Sequence, residues 1–323
     1  MKFLVSKCKT KGNKMKKMLT VFICIVSTLV VNSQTIYSKA FGNPNDKPLL
    51  YLHGGPGYNS VGFELTTAQT LSENGFYVIS YDRRGEGRSL DNNAKFTFNE
   101  TFDDINLIYD KFNLTSATLI GHSFGGVIAT LYAEKYPNKT KSIILVSAPI
   151  SMQETFSTIL KSSKSIYTSN KDLVNLNYIN MLEKMDKRSI EYSSYCFSHA
   201  MQNGFYYPKE PTEEALTTYK KFKTDSLLIK YSSQMTYEAP RGFWENENYT
   251  TIDLNENLKR VLKNNIPVFG LYGKDDGLFS EIQIGNIENI IGEDNFDYIN
   301  NCSHNLFIDQ QTKFINSLIK WTE

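Results

Sequence analysis

The sequence predicts an α/β chain: a mostly parallel sheet covered by helices and interrupted by an inserted helical segment. Three observations carry this. Apolar runs at 49–53, 77–81, 117–120 and 143–146 have the unbroken hydrophobicity of strands buried on both faces. Amphipathic stretches of helical length at about 62–73, 101–112 and 125–136 separate them, the last closed by Tyr136-Pro137-Asn138, and such β-α-β-α alternation feeds a parallel sheet. The alternation stops near residue 150 and resumes with the apolar run 266–272.

Each element follows in turn. Residues 150–262 are rich in Ser, Lys, Tyr, Asn and Glu and contain no comparable strand run, so they read as helices with polar connections, an inserted cap. The flanking segments, 35–149 and 263–323, form the α/β core, completed by a strand near 296–300 and a helix over 307–321. The chain has 323 residues, enough for one large or two small domains. With 35 basic against 34 acidic side chains and no basic stripe beyond the N-terminus, nothing in it suggests a nucleic-acid partner.

Residues 1–34 differ from the rest. Lys14, Lys16 and Lys17 precede an apolar run from Met18 to Val31, followed by Asn32, Ser33 and Gln34, the order of a secretory signal peptide, with Met15 as an alternative start. The run is short for a bilayer, which needs roughly 20 residues, so export to a periplasmic or extracellular location without a lasting anchor is expected, with a membrane-anchored form as the alternative. Cys24 follows a bulky Ile23, unlike a lipid-attachment site. Cys196 and Cys302 remain, as one disulfide or two buried thiols.

The chemistry is concentrated in a few motifs. In Gly121-His122-Ser123-Phe124-Gly125-Gly126 a serine falls between a strand and a helix. A strand-turn-helix elbow strains the serine and pushes its hydroxyl out at the carboxyl end of the sheet, with the helix N-terminus adding positive potential. Ser123 is therefore the candidate nucleophile. A serine hydroxyl needs a base, and the base an orienting carboxylate. Of the four histidines, His304 follows the last strand and is the only one after Ser123 outside the insertion. The acid is expected after the strand 266–272, where Asp276 is favoured and Asp275 is the alternative. The loop His53-Gly54-Gly55-Pro56-Gly57 follows the first strand, and the amides of Gly55 and Phe124 are the expected oxyanion donors. Asp82-Arg83-Arg84-Gly85-Glu86-Gly87-Arg88-Ser89 reads as a hydrogen-bonded scaffold for that loop. No metal or cofactor is implied.

These motifs, with Gly273-Lys274-Asp275-Asp276 and Cys302-Ser303-His304, resemble the prolyl iminopeptidase family of α/β-hydrolases. The resemblance implies the α/β-hydrolase fold, a helical cap over the serine and cofactor-free release of N-terminal residues, often proline, from peptides. It also implies a cap carboxylate for the substrate ammonium, matched here by Glu245, beside Trp244, with Gly54 as a further substrate contact. The chain departs from the family at Gly277, where some members carry a second glutamate. The substrate is thus a small peptide, or an ester if the chain is an esterase or lactonase with the same triad. A slow-turnover ligand-binding relative is the remaining alternative, and oligomeric state is not encoded in any motif.

Overall fold

The computed structural model describes residues 36–322. The predicted signal segment and Cys24 lie outside them. Seven strands form one sheet: β1 (Ser38–Phe41), β2 (Lys47–Leu52), β3 (Phe76–Tyr81), β4 (Ala117–His122), β5 (Thr140–Val146), β6 (Val268–Gly273) and β7 (Phe296–Ile299). Their order is β1-β3-β2-β4-β5-β6-β7, with β1 antiparallel to β3 and every other pairing parallel.

Side-chain alternation along the strands divides the core into two layers. On one face Leu50, Leu52, Ile79, Tyr81, Leu119, Ile143 and Leu145 are buried. On the other, Leu49, Tyr51, Val78, Ile120, Ile144 and Val146 are buried. Both sets are apolar because helices cover both faces, which is why the strands read as continuous runs. Each predicted strand is present, with bounds differing by a few residues.

The helices differ in two places from expectation. The segment expected as one helix at 62–73 contains a π turn, Glu64–Ala68. Glu64 is buried there and meets Tyr37, Ser80 and Arg88. The last helix is split into Leu306–Asp309 and Gln311–Thr322. Between them, Gln310 leaves the helical region and its side-chain amide donates to the carbonyls of Asn300 and Asn301. The short β1 has no apolar run to announce it, and it contributes the sheet's antiparallel edge.

Between β5 and β6 the chain is helical: Met152–Ser169, Leu173–Leu182, Ile190–Gln202, Glu213–Thr224, Ser226–Ser232 and Glu238–Glu247, then Asn255–Lys263, which leads into β6. That last helix is pinned to Phe124–Lys135, where Glu134 accepts from Arg260 and Asn257. Cys196 and Cys302 are both buried and unpaired, resolving the thiol question in favour of two free cysteines. No helix among the described residues is long and apolar enough to cross a membrane.

Candidate active site

The elbow is built by close approach of backbone. Ser123 stands between β4 and the helix Phe124–Lys135 with φ 51° and ψ −123°, a strained conformation for a non-glycine residue. Its amide donates to the Val146 carbonyl at 2.9 Å, and its carbonyl accepts from Gly126 at 2.8 Å. Two glycines make the turn possible. A Cβ on Gly121 would lie 2.5 Å from Gly126 Cα, and one on Gly125 would collide with the Leu52 carbonyl. Ser123 occupies the N-cap position, yet its hydroxyl caps nothing. An N-cap serine ordinarily accepts from the first turn of its helix, so this hydroxyl is left available.

His304 and Asp276 are brought together. The His304 Nδ1 donates to Asp276 Oδ2 at 2.8 Å, and both side chains are buried. Asp276 Oδ1 accepts from the Leu278 amide at 3.1 Å, which fixes the carboxylate plane. Asp275 points elsewhere, toward Lys209, accepting from its amide at 3.2 Å. The His304 ring lies 5.0 Å from that of His122, the residue preceding Ser123. No hydrogen bond joins Ser123 Oγ to His304 Nε2 among the described residues. Such links are often long before substrate is bound.

His122 has a structural role. Its Nε2 donates to the His304 carbonyl at 3.0 Å, and Phe307 packs edge-on against its ring. Burial, with the neighbouring His304, depresses its pKa to about 3, so the imidazole stays neutral.

The glycine loop is held from behind. Arg83, buried, donates to the carbonyls of His53 and Gly54 and pairs with Glu86 at 2.9 Å. Glu86 in turn accepts from the Gly57 amide at 2.9 Å. His53 accepts from the Arg83 amide through Nε2 and donates to the Gly54 carbonyl through Nδ1, and burial, then the Arg83 charge, holds its pKa well below the ordinary range. Asp82 pairs with Arg88 at 2.7 Å and accepts from the Ser60 amide and hydroxyl. The scaffold reading of the Asp82–Ser89 segment thus matches the contacts it makes.

That network carries Gly54 to the serine: a Cβ on Gly54 would lie 3.1 Å from Ser123 Cβ. The Gly55 and Phe124 amides donate to no acceptor among the described residues. Phe124 anchors the cap, its ring lying 5.1 Å from Phe243 and 5.7 Å from Tyr249.

The cap residues expected to bind substrate are placed differently. Glu245 is exposed and ion-paired with Arg241 at 2.8 Å. Phe243, two positions earlier, faces Phe124, and two residues turn a helix by about 200°, so the Glu245 carboxylate leaves the opposite side of the helix, into solvent beside Arg241. Glu245 is therefore not brought to Ser123 as an ammonium ligand. Trp244 donates its indole N–H to the Arg188 carbonyl at 2.7 Å, a bond within the cap.

Tyr206 lies against His304, a contact that no local motif announces. Its ring meets the imidazole edge-on at 5.1 Å. The adjacent Phe205 carbonyl accepts from the Gly277 amide at 3.1 Å and the Ser303 hydroxyl at 2.8 Å, tying the cap to both loops. The Phe205-Tyr206-Tyr207 run was the available signal. A Cβ on Gly277 would collide with the Phe205 ring, so the volume that a side chain at 277 would need is filled by an aromatic side chain.

A mostly parallel sheet, a nucleophile-type elbow and a buried His–Asp pair in this chain order define an α/β-hydrolase. Residues 47–311 match the alpha/beta hydrolase fold family, and the chain belongs to it. Among curated proteins it is similar to the proline iminopeptidase of Lacticaseibacillus rhamnosus, 26% identical over 88% of this chain and 93% of that one. It also resembles a bifunctional esterase/perhydrolase of Acinetobacter calcoaceticus, 24% identical over 75% of this chain and 78% of that one. Other iminopeptidase relatives align over only 34% to 58% of their own length. Among solved structures, a proline iminopeptidase-related protein from Thermus thermophilus superposes with a TM-score of 0.61 at 20% identity, covering 88% of this chain and 92% of that one. An esterase from Exiguobacterium antarcticum gives 0.58 at 19% identity, covering 88% and 94%, and both show the shared fold.

Proposed function

We propose that the chain is a serine hydrolase working through an acyl-enzyme on Ser123, and that it releases N-terminal proline or another small residue from peptides. The observation that supports the mechanism is the 2.8 Å bond from His304 Nδ1 to Asp276, together with the strained elbow at Ser123, whose neighbour His122 has its ring 5.0 Å from that of His304. With Nδ1–H held by the carboxylate, Nε2 is the basic nitrogen and takes the Ser123 proton. The alkoxide attacks the substrate carbonyl, and the amides of Gly55 and Phe124 receive the oxyanion. His304 then protonates the leaving group, and water, deprotonated by the same imidazole, releases the acyl group. The peptidase half of the reading is supported by the motif set and by the iminopeptidase relatives.

One observation favours a second reading, an esterase or lactonase using the same three residues: the outward-facing Glu245 leaves the expected ammonium ligand absent from the site. Hydrolysis of proline and alanine arylamides measured against short acyl esters, with Ser123→Ala as control, separates the two. Arylamide turnover lost in Ser123→Ala is expected. Ester turnover without arylamide turnover removes the peptidase reading, and turnover surviving in Ser123→Ala removes the mechanism.

A further inference from the structure

Beside the His304 loop lies a cavity of about 460 Å³. That volume is in the range of small-molecule sites, which run from about 300 to 1,000 Å³. Its floor is an aromatic cluster from the core: Tyr51 and Phe63 stacked at 3.8 Å, with Phe307 edge-on to both at 5.9 and 5.6 Å. Phe222 and Lys223, from the cap helix Glu213–Thr224, face it from the other side. His122 and Asn305 also line it, and these are the chain neighbours of Ser123 and His304.

We propose that this cavity is the leaving-group subsite, and that it takes an aromatic ring carrying a carboxylate. The inference rests on the serine-hydrolase reading for its place in the reaction. His304 must deliver its proton to the departing atom, so the leaving group lies next to His304, and the cavity reaches Asn305, the residue after it, and His122, the residue before Ser123. Ring-sized aromatic walls favour a planar apolar group, by stacking and edge contacts. The charge follows from the lining. It includes no Asp or Glu, and Lys223 is its one permanently charged residue. The Lys223 ammonium is exposed and makes no salt bridge among the described residues. His122 adds no charge, since its imidazole is neutral. A carboxylate entering here meets an unpaired cation, whereas an ammonium meets repulsion. A peptide ending in an aromatic residue just after the cleaved bond, or an ester of a hydroxyaryl acid, has this chemistry.

The cavity can be tested separately from turnover. Calorimetric titration of the whole protein with 4-hydroxyphenylacetate, 4-hydroxyphenylacetamide and tyramine carries the terminal charge from negative through neutral to positive on a common hydroxyphenyl ring. The acid is expected to bind tightest, about fivefold to tenfold ahead of the amine, as a partly exposed charge contact allows. Lys223→Glu should reverse that order. Gly62→Phe should weaken all three at least tenfold: Gly62 lines the cavity, and a Cβ there meets the Phe222 ring at an unstrained 3.7 Å, so the added ring takes up cavity volume. The acid should also inhibit phenyl acetate hydrolysis competitively. Equal or tighter binding of tyramine, binding unaffected by Gly62→Phe, no binding of any of the three, or non-competitive inhibition would each overturn the proposal. Failure of the function reading looks different: turnover persists in Ser123→Ala while the acid still binds and Lys223→Glu still inverts the preference.

Discussion

Replacing Asp276 with asparagine exchanges one carboxylate oxygen for an NH2 group and should nearly abolish turnover, for a reason contained in its hydrogen bonds. Oδ1 accepts from the Leu278 amide at 3.1 Å, and Oδ2 accepts from His304 Nδ1 at 2.8 Å. In Asp276→Asn the single remaining oxygen is held by the Leu278 donor, and the new NH2 group is turned toward Nδ1. The imidazole then has to present Nδ1 as an acceptor and carry its proton on Nε2, where it cannot take one from Ser123. Loss of the right tautomer costs about 10⁴ in kcat in a serine triad of this type, about 5.5 kcal/mol of transition-state stabilisation. Asp275→Asn is the internal comparison. Its carboxylate faces Lys209, so turnover should stay within about threefold of the parent, as expected for a partly exposed pair. The assay is steady-state hydrolysis of phenyl acetate and proline arylamide at neutral pH, with denaturation curves confirming that both variants fold. An Asp276→Asn enzyme within tenfold of the parent, or an equal loss in Asp275→Asn, would refute the assignment.

Further expectations concern the elbow, the scaffold, the cap and pH. Gly125→Ala places a methyl against the Leu52 carbonyl, and overpacking of this kind should cost about 3 kcal/mol, read as a lower urea midpoint at unchanged slope. Glu86→Gln leaves the buried Arg83 guanidinium without its counter-charge, so stability should fall by about 3–5 kcal/mol by the same measurement. Glu245→Ala should leave KM for proline arylamide within twofold, because the side chain pairs with Arg241 at the surface; a large rise in KM would restore Glu245 as an ammonium ligand. Asp309 accepts from the Ser303 amide and Tyr219 hydroxyl, and burial pushes its pKa up to about 6. A raised carboxyl pKa means the native state holds its proton longer, so this group's contribution is full below about pH 4 and is lost as pH rises to about 6. Asp309→Asn should therefore gain on the parent by up to about 3 kcal/mol across that interval; a flat difference between the two stability curves from pH 4 to 7 would contradict the sign.

The parts of the molecule legible in the sequence are those where one residue type is demanded locally. β2, β3, β4 and β5 are buried on both faces, so their sequences are continuous apolar runs. Gly121 and Gly125 flank Ser123 because backbone passes where a Cβ would be. β1 is not legible because its four edge residues, three half-buried and Lys39 exposed, need no such run. The break at Gln310 depends on carbonyls of Asn300 and Asn301, which only folding brings within reach of the side chain.

What the sequence determined by itself is the order of the chemistry: glycine loop, Ser123, acid loop, His304, each at the end of a strand. That order follows from strand burial and turn sterics, which act over a few residues. Tertiary structure decided the rest. It selected Asp276 over Asp275, directed Glu245 outward, kept Cys196 and Cys302 apart and placed Tyr206 on the imidazole. Each of these is a choice of direction or partner between segments far apart in the chain. Two adjacent aspartates, or a glutamate on either face of a helix, are equivalent in local chemistry and become distinct only when a neighbour arrives across the fold.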